Sequence, residues 1–167
     1  MNDAHLHLVV NHFPIIGTIF GLGILIAGLL LKRNSVKNTA YVLLVVAAIF
    51  AFISMSTGEG AEEMVEDMPN IGKQIIHEHE ELAEKLALLL YATGIFSLVA
   101  LYTSLKNHKF SKIASYITLV LALGAAVLGS SVGTSGGEIR HTEIRDNSVN
   151  SAIENVNSDS ESATDEN

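Results

Sequence analysis

Four windows of the chain, 13–31, 39–57, 86–105 and 113–132, contain no Asp, Glu, Lys or Arg. The first is nineteen residues long; at 1.5 Å per residue that is about 28 Å of helix, close to the roughly 30 Å of hydrocarbon in a bilayer. A helix of a soluble domain would show a polar residue every three or four positions on its outer face, and these windows do not. The expected fold is therefore all-α, a polytopic membrane four-helix bundle occupying 1–145. From Ser148 the chain is Ser, Asn, Asp and Glu with few apolar residues and no basic one. Such a composition cannot build a core, so 146–167 is expected to be an acidic, disordered tail.

The charges excluded from the windows are sorted as well. Lys32, Arg33 and Lys37 occupy the first connection and Lys106, Lys109 and Lys112 the second short one, with no acid in either. All 18 acids lie at the termini or between the second and third spans. The positive-inside rule then places the short connections in the cytoplasm and both termini outside the cytoplasmic, or inner, membrane. The opening MNDAHLHL has neither a basic n-region nor a cleavage site, so a removed signal peptide is not expected. A net charge of -8 argues against nucleic acid as a partner. With no cysteine, disulfides, thiolate nucleophiles, iron–sulfur clusters and CxxCH haem attachment are excluded. Phosphate loops and serine elbows are absent too.

The local pattern at the first span allows two readings. Asp3 can cap a helix that starts at Ala4 and bends at Pro14, or Asn11 can cap a helix that starts near Phe13 with Pro14 in its first turn. Gly17 and Gly21 form a GxxxG pair, the kind of small surface that admits another helix, or a flat cofactor, in a membrane. In SMSTGEG, Ser54, Ser56 and Thr57 can return hydroxyls to helix carbonyls, and Gly58 and Gly60 permit a turn. A short surface helix is expected over 61–68, broken by Pro69 and Gly72. A longer one should start near Ile71 and run unbroken into the third span. Gly133, Gly136 and Gly137 allow a tight turn or the close approach of a bound group after the fourth.

Up-and-down connectivity gathers the ends of these elements. His5, His7, His12, His77, His79 and His141 then share one membrane face, while His108 lies at the other as a surface residue. In HEHEE, His77 shares a face with Glu81, whereas His77 and His79 diverge by about 200° on a helix, so this is not the HExxH of a zinc peptidase. Beside these histidines stand Glu62, Glu63 and Glu81. Imidazoles and carboxylates together suit zinc, copper or non-haem iron, with carboxylates favouring zinc or iron over monovalent copper. No charged residue lies within a span, so no intramembrane ion pathway is visible.

HFPI at His12–Ile15, Thr57–Gly58 closing the second span with acids after it, a histidine before the third span, and GGEI at Gly136–Ile139 followed by His141 together resemble a family of small bacterial four-helix membrane proteins. Members of that family are associated with haem b and occur near respiratory or Rieske-type redox domains. The resemblance covers roughly 5–142. It implies haem b in an electron-transfer protein or cytochrome-like subunit, with His12 carried over first, then His77 or His79, then His141. An axial pair would be His12 with His77 or His79, and Gly17, Gly21, Gly94 or Gly129 would make room for the macrocycle. Partners would be the lipid bilayer, a respiratory or redox protein and, in a homo-oligomer, a second copy. A zinc, copper or non-haem iron site is the alternative, and a structural or interaction subunit of a membrane complex the third reading.

Overall fold

The computed structural model describes residues 3–64, 66 and 72–145. Five helices make up nearly all of it: α1 (Asp3–Val10), α2 (His12–Leu30), α3 (Asn34–Glu62), α4 (Lys73–Leu105) and α5 (Ser111–Arg140), with a 3₁₀ turn at Thr142–Ile144. Helices α2 to α5 pack in chain order and α5 returns to α2, closing an antiparallel bundle, while α1 lies along α3. All four long helices are apolar enough to cross a membrane. The tail from 146, residues 65, 67 and 68 of the expected surface helix, and Pro69 and Ile71 after it lie outside the described residues.

What is inside and what is outside argue for lipid. Much of the core is small or hydroxylated, Ala40, Ala47, Ala51, Ala100 and Ala122 with Thr18, Thr93, Ser97 and Thr118, around a few buried large side chains, Leu25, Tyr41, Leu44 and Leu90. Many more large apolar side chains face out: Phe20, Phe52, Leu88, Val120 and Val127 are each more than 60% exposed. In water that distribution would discard the hydrophobic driving force. In lipid it is the expected one, because close backbone approach replaces apolar burial as the source of helix association. This is a multi-pass membrane protein.

Glycines set the closest approaches. A Cβ on Gly21 would lie 2.8 Å from the Leu44 side chain, one on Gly28 2.8 Å from the Lys37 backbone nitrogen, and one on Gly94 2.6 Å from the Ala48 Cβ. The GxxxG face of α2 is thus spent on α3, and Gly94 on α3 from the other side. Gly129 is packed by Ile15, 3.6 Å from the position a Cβ would take. Gly17, Gly21, Gly94 and Gly129 therefore pack against neighbouring helices, and these four positions are not the ones that would make room for a flat group. One polar tie crosses the core: the Tyr41 hydroxyl donates to Ser115 Oγ at 2.7 Å, whose own proton goes to the Ser111 carbonyl.

The N-terminal start follows neither reading whole. Helix begins at Asp3 itself, whose side chain lies outside the described residues, and continues through Asn11 with φ -65° and ψ -22°, its amide bonded to the His7 carbonyl at 2.9 Å. Pro14, three residues on, has no amide to offer a cap, and Asn11 makes no capping bond. Gly58 and Gly60 stay helical inside α3, and Gly133, Gly136 and Gly137 inside α5. No described glycine has a positive φ. The left-handed residues are Lys32 (φ 53°) and Asn107 (φ 49°), each ending a helix at a short connection. There the amides of Arg33 and His108 reach back to the carbonyls of Gly28 (3.0 Å) and Thr103 (2.8 Å), the wrap that closes a helix C-terminus.

Helix length decides where the site lies. Helices of 29, 33 and 30 residues (α3, α4, α5) span about 43 to 50 Å, well beyond the roughly 30 Å of hydrocarbon. Most of the surplus, 73–85 of α4 and 133–140 of α5, lies with α1 at the end holding His5, His7, His12, His77, His79 and His141, while α3 overruns its span at both ends, so the histidine end of the bundle projects furthest past the charge-free spans.

Candidate functional site

Helix periodicity separates the two histidines of HEHEE. Ile76, His79, Ala83, Leu86 and Leu90 fall at alternating steps of three and four, the stripe that α4 turns inward. His79 is half-buried on it and His77 is exposed. The His79 ring lies against Gly136 of α5: a Cβ there would be 2.9 Å from its Cε1. The glycine that was expected to admit a bound group admits an imidazole. Across the bundle end, α1 places His7, also half-buried, against the last turns of α3.

Both rings are oriented by their Nδ1. That of His7 is 3.1 Å from the Ser54 carbonyl and 3.2 Å from Thr57 Oγ1. A carbonyl only accepts, so His7 Nδ1 carries the proton. Thr57 can accept from it because its own proton is directed to the Ile53 and Ser54 carbonyls. His79 Nδ1 is 2.9 Å from Ser135 Oγ, which donates to the Val132 carbonyl at 3.1 Å. With its proton on the Val132 carbonyl, Ser135 accepts, and His79 also carries its proton on Nδ1. In both rings Nε2 is left with its lone pair, the arrangement found in metal-ligating histidines whose other nitrogen donates to an acceptor.

Electrostatics keep those lone pairs available. Burial pushes His7 below the ordinary imidazole value; the Ser54 carbonyl partly restores it, and charge on His12 lowers it again. Burial likewise lowers His79, and charge on His7 lowers it further. Charge on His7 thus opposes protonation of His79. Beside them, at the junction of α1 and α2, the buried Asn11 Oδ1 accepts no hydrogen bond among the described residues.

The other expected ligands point elsewhere. His12, the first choice from sequence, is exposed, its Nδ1 3.3 Å from the Leu8 carbonyl one turn back. Asn11 continues the helix, so His12 takes the outer side of a continuous rod. His77 faces Glu80 (3.9 Å) and Glu81 (3.5 Å) along its own helix, and Glu81 is held by Lys85 at 3.1 Å, a hydrogen bond that lowers its pKa. His141 bonds Glu143 at 2.9 Å in the exposed turn after α5. His5 and Glu63 are exposed. Glu62 is raised by burial and then by Glu80, Glu66 and Glu59. Among the described residues, no three of the His, Asp and Glu side chains gather as a metal centre requires.

Sequence reasoning passed over several parts of this arrangement. Ser54 and Thr57 were read as helix-closing, yet they also orient His7. Ser135 carried no signal, though it lies within the last turns of the helix facing His79. Arg145 folds back over the end of α5, donating to the carbonyls of Glu138 (2.6 Å) and Ile139 (2.8 Å), and so closes the helix beside the site. A groove of about 390 Å³ opens between α4 and α5 next to Ser135, lined by Glu78, Glu138, Ile75, Leu82 and Thr134, but neither imidazole reaches it.

No family model, curated protein or solved structure matches the chain.

Proposed function

We propose that the protein is a haem b-binding electron-transfer protein of the bacterial cytoplasmic membrane, in which His7 and His79 would hold the haem. The observation that carries this reading is the pair of neutral imidazoles at one bundle end, each with its proton held on Nδ1 and its Nε2 lone pair uncommitted. Haem iron asks only two ligands of the protein, since the macrocycle supplies four. Zinc and its relatives take three or four protein donors, and the described residues offer no such group. The donors fit; the resemblance to the four-helix family supports the same group. When bound, haem would supply reversible one-electron exchange. The chain's own part is to hold two imidazoles in the ligating tautomer at the membrane edge.

The orientation belongs to the same proposal. The six basic residues of the short connections favour the cytoplasm for that end. The histidine end and both termini then face outward, where a respiratory or redox partner would meet the site.

One observation favours a second reading, a bare zinc, copper or iron ion on the same two nitrogens. The glycines that would have admitted a flat group are filled by neighbouring helices, whereas an ion completed by water needs no such room.

An optical spectrum of the detergent-purified protein, oxidised and then reduced with dithionite, separates the two when paired with elemental analysis. Haem ligation gives a Soret band that sharpens on reduction, abolished by His7→Ala or His79→Ala and retained in His77→Ala and His141→Ala. A colourless protein with stoichiometric metal, lost in the same two variants, replaces haem by the ion. Neither chromophore nor metal after haem-replete expression rejects both and leaves a structural or partner-binding subunit. Retention of haem in both His7→Ala and His79→Ala, with loss in His12→Ala, would return His12 to the site.

A further inference from the structure

At the opposite end of the bundle, α4 and α5 do not close completely. Between them runs a groove of about 290 Å³, lined by Phe96, Val99, Tyr102, Ile113 and Ile117, with His108 and Phe110 at its mouth. From Thr103 back to Phe96, seven steps along α4, the groove's lining extends about 10 Å from near the connection toward the middle of the membrane. The equivalent seam between α2 and α3 is shut, because Gly28 brings the Lys37 backbone into contact.

The mouth is built for an anion. Asn107, in the left-handed conformation, turns the chain so that the His108 amide reaches the Thr103 carbonyl. His108 Nδ1 then accepts from the Phe110 amide at 3.4 Å, which leaves the ring proton on Nε2 as a donor. The His108 ring packs on Phe110 with centroids 5.2 Å apart, and Lys109 Nζ stands 5.1 Å from the same ring. That cation–π contact holds the ammonium at the groove entrance. Lys106 and Lys112 flank it, with no acid between 106 and 112.

We infer that this groove is a binding site for one anionic glycerophospholipid, its acyl chain between α4 and α5 and its phosphate on His108 and the three lysines. The charge of the connection complements the headgroup, and the apolar trough leads from there into hydrocarbon, so both halves of a lipid have a counterpart in order. A zwitterionic lipid would fill the trough equally well and forgo most of the attraction at the mouth. Basic residues at a membrane surface attract anionic lipid by about 1 kcal/mol each, about a factor of five.

Native mass spectrometry of the full chain, titrated in detergent with phosphatidylglycerol or phosphatidylcholine of identical acyl chains, tests the site. The expected result is one tightly retained phosphatidylglycerol, with a preference over phosphatidylcholine that falls about fivefold for each of Lys106→Gln, Lys109→Gln and Lys112→Gln. Val99→Trp and Ile113→Trp, which fill the trough from either helix, should each displace the lipid while circular dichroism shows helicity unchanged; the pair guards against one variant failing to fold. Equal retention of the two lipids overturns the inference. So does an equal loss of preference when Lys32, Arg33 and Lys37 are replaced by Gln, because attraction would then be spread over the whole end. Retention of phosphatidylglycerol in both Trp variants would also overturn it, leaving charge without a groove.

Discussion

The two ends of this bundle solve opposite problems. At the basic end, α2 joins α3 through three residues and α4 joins α5 through five, and each helix is shut by a left-handed residue and a main-chain wrap. At the histidine end, ten residues separate α3 from α4, and the helices overrun the hydrocarbon. Main chain closes one end; side chains furnish the other. The comparison teaches that length beyond the membrane is not surplus. It is what carries imidazoles, hydroxyls and carboxylates out of lipid to where they can be hydrated, paired and reached.

The bluntest test of this contrast is which end faces which compartment. Because the chain has no cysteine, Glu63→Cys and Lys109→Cys each provide a single thiol. An impermeant maleimide added to intact cells should label the first fully and the second only after lysis. Labelling in the reverse pattern would invert the proposed orientation.

Next in size is the histidine end itself. Ser135→Ala removes the acceptor that fixes the His79 tautomer, and loss of such a partner costs about 10- to 100-fold in ligand affinity. Gly136→Ala should do at least as much by pushing the ring off its seat, since a Cβ would come within 2.9 Å of Cε1. Titration of haem or metal into the apo-protein measures both. Wild-type affinity in both variants would mean that His79 is not a ligand.

The basic end should respond in the other direction. Lys32 holds a left-handed backbone that costs an ordinary residue about 1 to 2 kcal/mol, so Lys32→Gly should stabilise the bundle by up to about 1 kcal/mol in thermal unfolding. Asn107→Gly should gain less, since asparagine tolerates this region better.

The smallest effect is that of pH. His7 and His79 lie below the ordinary imidazole value of 6.5 in the folded chain. Above 6.5 both folded and unfolded forms are neutral and stability is at its full value. As the pH falls below 6.5, the unfolded chain takes up protons first and stability declines until the lowered folded values are passed. Unfolding monitored by circular dichroism from pH 8 to pH 5 should show this slope, flattened in the His7→Gln, His79→Gln double variant.

The membrane spans were legible because a charge-free window leaves its helix no polar face to turn toward water, and the up-and-down order followed from short connections of one charge sign. The helix ends were not. Gly58, Gly60, Gly133, Gly136 and Gly137 read as turn signals, yet continued helix satisfied their amides and carbonyls more fully than a turn would. The choice between His77 and His79 was within reach, since only His79 continues the stripe through Ile76, Ala83, Leu86 and Leu90. The promotion of His7 over His12 was not. It depends on Asn11 staying helical, which sets the rotation of α1 against α3, and on a main-chain carbonyl at Ser54 that no residue type announces.

Ser135 has a single proton, and the wound turn of α5 occupies it with the Val132 carbonyl. Were that turn to unwind, the hydroxyl would be released to donate to the neighbouring ring, whose proton would then migrate to Nε2 and occupy the ligating position. The secondary structure of the final turns of α5 thus has a chemical read-out on the facing helix: the proposed ligating nitrogen keeps its lone pair only while the helix behind it remains intact.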